Sequence, residues 1–174
     1  MLSAASIAIL YSSIIASRDT DNRADMKDPL ITLCGYLLQR ASANALAELN
    51  QRLAPLGLRH AGVAMLMLVE ASPGITQSQA GRILDIQRAN MVPFVARLER
   101  LGVIRRRQVD GRSQALELTH PGRTLLARAR RVVAAHEAEL LERVPVELRP
   151  MVLPVLMALW QGQTEVAAAQ ASGR

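Results

Sequence analysis

Leu84-Asp85-Ile86-Gln87-Arg88-Ala89-Asn90, running on to Arg97-Leu98-Glu99-Arg100-Leu101-Gly102 and then to Asp110-Gly111-Arg112-Ser113, is the stretch whose reading decides the fold. Asp85 and Ile86 read as a tight turn. From about Gln87 to Leu101, Met91, Phe94, Val95 and Leu98 recur at helical spacing, and Gly102 stands where a helix ends on a left-handed residue. The period then changes. Val103 to Val109 and Gln114 to Leu118 are two short runs on either side of Asp110-Gly111, a strong hairpin signal. Before the turn, Thr76 caps a short helix reaching about Leu84, with Ala80 and Ile83 facing inward. A short helix, a tight turn, a second helix and a two-stranded hairpin, in that order, make a winged helix-turn-helix.

Helices flank this unit. Asp28 and Pro29 read as an N-cap and first residue, opening a helix with Leu30, Leu33, Cys34, Leu37, Leu38, Ala41, Ala45, Leu49 and Leu53 along one side, stopped by Pro55 and Gly57. A second helix spans about Arg59 to Ala71, with Val63, Leu66, Met67 and Glu70 on one face, and ends at Pro73-Gly74. After the hairpin, Thr119 caps a long helix carrying Leu125, Leu126, Ala129, Val132, Val133, His136 and Leu140 to near Val144. A last helix follows over about Val146 to Gln161, with Leu148, Val152, Val155, Leu156 and Leu159. The predicted class is mainly α with one small β-hairpin. Its divisions are an N-terminal extension (1–27), a first helix (28–58), the winged unit (59–118), C-terminal helices (119–161) and a flexible tail (162–174).

Composition narrows the function. One cysteine excludes an internal disulfide framework, and with three histidines spread over His60, His120 and His136 a Cys/His zinc cluster is excluded. Lys27 is the only lysine and no G-x-x-x-x-G-K loop surrounds it, so P-loop nucleotide hydrolysis is out. Neither paired carboxylates nor a nucleophile elbow stands in a recognisable motif, so no catalytic residue, metal or cofactor is expected. Phe94, Trp160, Tyr11 and Tyr36 are the only aromatics, too few to stack single-stranded bases. A nucleic-acid partner is therefore a duplex. The apolar run Ala4 to Ala16 lacks the preceding positive charge of a signal peptide and is shorter than the roughly 20 residues that cross a bilayer. The expectation is a cytoplasmic protein without a membrane span.

Charge points the same way. The chain carries a net +6, yet residues 82–131 hold twelve arginines against four acidic residues, a net +8, which leaves −2 for the remainder. Such concentration is the electrostatic footprint of a polyanion binder. Arg suits guanine O6 and N7, and Gln or Asn suits adenine N6 and N7, so Gln87, Arg88, Ala89 and Asn90 on the first helical turn, with Arg97 beyond, are candidate base readers. Thr76, Gln77 and Ser78 open the preceding helix, whose N–H groups face phosphate. In the hairpin, alternation separates Arg105 and Arg107 from Arg106, while Asp110, Arg112 and Ser113 form the tip, with Arg112 as the groove probe. The rival reading is a helical dimer using the same arginines on an acidic protein partner.

The quoted run, the tip Asp110-Gly111-Arg112-Ser113 and Leu118-Thr119 with Gly122 resemble the MarR family of bacterial transcriptional regulators over roughly Pro29 to Gln161. The resemblance implies a homodimer formed by the first, fifth and sixth helices. It also implies repression relieved by a small ligand bound between those helices and the DNA-binding lobe. Pro93 departs from the common pattern, and its missing N–H should bend the recognition helix. Cys34 sits near where some members sense peroxide, but the residue one turn on is Leu38 rather than tyrosine, so Cys34 is expected to be a buried structural residue. Gly35 to Ala41 and Pro55 to Arg59 resemble a branch answering to aromatic acids or their coenzyme A thioesters. The candidate effector residues are Tyr36, Leu37, Arg40, Asn44, Arg59, His60 and Met67, with Met65 and Leu68 as apolar lining.

Overall fold

The computed structural model describes residues 29–110 and 113–172. The chain divides into two compact units, residues 1–43 and 44–174. In the first unit, Pro29–Thr32 forms a 3-10 turn, closed by Leu33 N–H donating to Leu30 O at 2.9 Å. The α-helix α1 opens only at Cys34 and runs to Leu53. The helix expected from Pro29 therefore starts five residues late, and the Asp28 cap lies outside the described residues. Leu30, Leu33 and Leu38 are exposed, and so is Cys34, which overturns its expected burial.

In the second unit, α1 ends in a 3-10 turn at Ala54–Leu56, closed by Gly57 at φ 68°. Then follow α2 (His60–Ala71), α3 (Gln77–Ile83), α4 (Arg88–Arg100), strands β1 (Ile104–Asp110) and β2 (Ser113–Leu118), α5 (His120–Glu142) and α6 (Arg149–Ser172). The strands are antiparallel, pairing Ile104 with Leu118 and Arg106 with Leu116, with a register shift between Gln108 and Asp110. Leu116 N–H donates to Ile75 O at 2.8 Å, and Thr76 bridges Ala115, so the start of α3 is stitched to β2.

Leu53, Leu58, Met65, Leu66, Val69, Val95, Leu98, Leu116 and Leu126 are buried in one core, joining every element from the end of α1 to α5. The α2 face differs from expectation. Met67 and Glu70 are exposed while Met65 and Val69 are buried, because the helix is apolar around most of its circumference and neighbouring elements choose the side. Ile83, expected inward, is 62% exposed. The last helix begins at Arg149 and continues to Ser172, past the expected end at Gln161 and through most of the supposed tail.

Two ion pairs tie the end of α1 to α5. Arg52 reaches both Glu139 oxygens, at 2.7 Å through Nη1, and Arg143 reaches both oxygens of Glu48, at 2.7 Å through Nη2. The hydrogen bonds from Arg52 and Arg143 hold the Glu139 and Glu48 carboxyls below their usual range. Between them lies His136, 1% exposed, its Nε2 3.8 Å from Glu48.

Helix α4 stops in a Schellman arrangement: Gly102 N–H donates to Glu99 O at 2.8 Å and Val103 N–H to Leu98 O at 3.2 Å. Gly102 takes φ 68°, as the motif requires. The Val103 carbonyl then accepts Thr119 N–H at 3.1 Å, and the Thr119 hydroxyl donates to Gly102 O at 2.6 Å while accepting from Gly122 N–H at 3.0 Å. A Cβ on Gly122 would stand 1.9 Å from Val103 O, so only glycine allows α5 to start against this backbone. Gly122→Ala should destabilise the protein by about 1–3 kcal/mol or more, because backbone rather than a side chain must yield. Thr119→Ala, which loses the cap, should cost about 1 kcal/mol. Urea unfolding compares the two, and a Gly122→Ala midpoint equal to the parent's would contradict this packing.

Candidate nucleic-acid interface

Helices α3 and α4 meet through a tight turn in which Gly81 leaves room for only an ordinary contact. Ile86 N–H donates to Gly81 O at 2.9 Å, and a Cβ on Gly81 would lie 3.4 Å from both Ile86 O and Met91 Cγ. Asp85 bends the chain at φ 50°, a left-handed conformation that Asp tolerates better than most residues. The result presents the first turn of α4 outward: Gln87, Arg88, Ala89 and Asn90 are all exposed, and Gln87 spends no side-chain hydrogen bond on capping. Although Pro93 removes one backbone donor, α4 is continuous through it, so Arg97 stays on the same helix and is exposed.

Thr76 caps α3 as expected, which occupies the hydroxyl also considered for contact with DNA. Its hydroxyl accepts Gln79 N–H at 3.3 Å and donates to Gln79 Oε1 at 2.9 Å, while Gln79 Oε1 also accepts Thr76 N–H, completing a capping box. Thr76 thus holds α3 in place. Of its neighbours, Ser78 is exposed and Gln77 half-buried.

Ion pairing sorts the arginines. Arg105 and Arg107 both reach Glu117 on β2, and Arg106, on the other face as alternation required, donates to Glu99 Oε1 of α4 at 3.0 Å. Arg130 pairs with Glu70. Among the described residues, Arg82, Arg88, Arg97 and Arg100 of α3 and α4 have no carboxylate within 4.0 Å. The helix pair therefore carries its arginine charge without compensation, as Arg123, Arg128 and Arg131 of α5 do, while Glu117 and Glu99 offset two of the three strand arginines. The hairpin tip falls differently: Gly111 and Arg112 lie outside the described residues, as do the side chains of Asp110 and Ser113.

Of the candidate effector residues, Tyr36 and Leu37 are half-buried and Arg40 exposed on the part of α1 in the first unit. In the second unit, Arg59 and His60 share a cleft of about 280 Å³ with Phe94, Arg97 and Leu101. Asn50 Oδ1 accepts His60 N–H at 2.8 Å, a cap across elements that no local pattern announces. Asn44 and Met67 are exposed and do not line this cleft. A larger cleft, about 440 Å³, lies beside Arg105, Arg107, Glu117 and Arg123. Sequence reading named none of those as ligand contacts. Three arginines in the region were its only signal, and Glu117 and the Leu118 carbonyl occupy them.

This architecture is that of a winged helix-turn-helix DNA-binding regulator, and similar proteins bear it out. A transcriptional repressor of Mycobacterium tuberculosis, Rv2887, is 34% identical over 112 residues, covering 63% of this chain and 81% of its own length. The transcriptional repressor CouR bound to a 23-mer DNA duplex matches with 34% identity and a TM-score of 0.73 over 78% of this chain and 98% of CouR. CouR bound to p-coumaroyl-CoA matches with a TM-score of 0.71, at 34% identity over 78% and 96% of the two chains. The MarR-family protein Rv2887 in complex with salicylic acid matches with 30% identity and a TM-score of 0.61, covering 78% of this chain and 98% of that one. No family model matches the chain. The chain belongs to the MarR family of transcriptional regulators.

Glu117 offers a test of the wing. Its carboxyl is held below the ordinary 4.5, first by the hydrogen bond from Arg107 and then by that from Arg105, against an opposing effect of burial. Since its folded value lies below its unfolded one, the pairing stabilises the fold above about pH 4.5 and is lost as pH falls through the folded value. The gap in urea midpoint between parent and Glu117→Gln should accordingly be open at neutral pH and close in acid. A gap unchanged down to pH 3, about one unit below the usual carboxylate range, would assign it to something other than this pairing.

Proposed function

We propose that this protein is a cytoplasmic, non-enzymatic repressor that binds an inverted-repeat duplex site as a homodimer and is released by a small acidic effector. In this reading residues 87–101 enter the major groove, residues 103–118 form the wing, and the helices of 28–58 and 119–161 make the dimer. The observation that carries it is the set of arginines on α3 and α4 without carboxylate partners, next to exposed Gln87 and Asn90. CouR, solved with a DNA duplex, supports the same use of the fold. Leu153 and Trp160 of α6, 68% and 69% exposed, lie among a band of exposed apolar residues, as an unmade subunit interface does. No single helix among the described residues is long and apolar enough to cross a membrane.

On the DNA side, Gln87, Arg88, Asn90 and Arg97 contact base edges, Arg106, tied to Glu99, steadies the wing against α4, and Arg112 with Asp110 and Ser113 reaches the flanking groove. Half-sites then lie about 10–10.5 base pairs apart, set by the duplex repeat. Arg88→Ala or Asn90→Ala should cost about 1–3 kcal/mol at particular base pairs. Arg112→Ala should lower affinity and, if the side chain lies along the backbone, lower the slope of log affinity against log salt by about one, as loss of one phosphate contact does. Titrations of a selected duplex at several salt concentrations measure both, and undiminished binding by all three variants would discard these roles.

The effector is an aromatic acid or its coenzyme A thioester, a class supported by the compounds bound to CouR and Rv2887. Arg59 and His60 supply the polar mouth of the cleft under α4, and its volume lies near the lower end of the ~300–1,000 Å³ typical of ligand sites. Arg97 lines the same cleft, so an anion held there draws on a charge that α4 otherwise offers to DNA. That differential contact is what release requires. A panel of benzoic and hydroxycinnamic acids, free and as thioesters, should include a compound that frees the operator. Arg59→Ala should bind the operator as the parent does yet respond less to that compound, and an unaltered response would remove Arg59 from the site.

A further inference from the structure

Apart from Arg100 at its C-terminal end, the face of α4 that points away from the core is apolar where a base-reading helix would be expected to carry hydrogen-bonding groups. Met91, Val95 and Leu98 fix the inward side, each at most 2% exposed. At 3.6 residues per turn the opposite side is then Ala89, Pro93, Ala96 and Arg100, with Val92 along one border and Asn90 and Arg97 along the other. Ala89 and Pro93 are exposed, Ala96 is half-buried, and Val92 is 55% exposed although a valine on a helix flank gains by burial. Arg88, Arg97 and Arg100 surround this ridge, and none has a carboxylate within 4.0 Å among the described residues, so the ridge is framed for a polyanion.

We propose that Val92 and Pro93, with Ala89, are specificity-determining residues that read thymine through its C5-methyl group. The inference rests on the DNA-binding reading above and deepens it. In the major groove every base edge offers donors or acceptors, and thymine alone adds a methyl group. A ridge without side-chain donors or acceptors cannot discriminate by hydrogen bonds, and set over guanine or cytosine it leaves their edges without partners. Over thymine it buries a methyl group against carbon. Each half-site therefore carries thymine beneath the ridge, flanked by the bases that Arg88, Asn90 and Arg97 read. Pro93 adds to this: lacking an N–H and fixed in φ, it presents a rigid ring on the crest.

The test uses the full-length chain and a duplex selected by it from a random pool. Each thymine is replaced in turn by deoxyuridine, which removes the methyl and keeps the base pair and the O4 acceptor. For the parent, at least one position per half-site should lose about fourfold in affinity, the factor that corresponds to burying one methyl-sized group. In Val92→Ala or Pro93→Ala the penalty at that position should fall toward one while penalties elsewhere persist. Both residues are exposed, and unchanged circular dichroism verifies that the variants fold. Deoxyuridine tolerated at every position, or a penalty identical in parent and variants, overturns methyl reading while leaving DNA binding intact. Failure to enrich any duplex overturns both.

Discussion

The carbonyl of Val103 is where the recognition helix, the wing and the long fifth helix are joined. It accepts the Thr119 amide, faces the bare Cα of Gly122, and follows a Schellman turn that has just ended α4. Because Ile104 pairs with Leu118 one residue inside this contact, the hairpin leaves the body in a direction set by the same backbone groups that start α5. Moving any one of the three elements would break bonds belonging to the other two. A regulator that transmits a signal from its helices to its DNA-reading parts needs such a rigid link, since a compliant junction would absorb the displacement.

Carboxylates govern how the arginines are used. Glu117, Glu99 and Glu70 neutralise arginines of the strands and of α5, and Glu48 and Glu139 do so at the end of α1. These pairs are open to solvent on at least one side, so their worth to stability is small, but they cancel charge where it would be indiscriminate. Helices α3 and α4 carry no such compensation. Basic residues that look alike in sequence are thereby divided between holding the hairpin together and facing outward. Arg97 stands at the boundary, on the recognition helix and at the edge of the Arg59–His60 cleft.

Much of the fold was legible because its signals are local. Thr76 and Thr119 as caps, Gly102 as a terminator and Asp110-Gly111 as a hairpin mark are decided by the φ and hydrogen-bonding capacity of single residues. The misplacements were of another kind. Pro29 can begin a helix, yet a 3-10 turn intervenes before Cys34; Ile83 fits an inward stripe, yet the helix it ends is seven residues long and buries Ala80 and Gly81 instead. Apolar residues on α2 surround the helix, so period alone could not choose Met65 and Val69 over Met67.

What the sequence by itself determined is the order of elements, the family and the residue types offered to DNA, because each follows from spacing within a few tens of residues. Tertiary structure decided which groups remain available once the chain has folded. Arg106 turned out to be spent on Glu99, and Arg105 with Arg107 on Glu117, and each pairing joins residues whose spacing carries no pattern. Asn50 capping α2 is likewise a contact between helices separated by a turn, and Arg97 and Arg59 come to line one cleft only through the same packing. Side-chain chemistry is written in the sequence, whereas the partner that satisfies or spares each polar group is chosen only when packing brings distant segments within hydrogen-bonding reach.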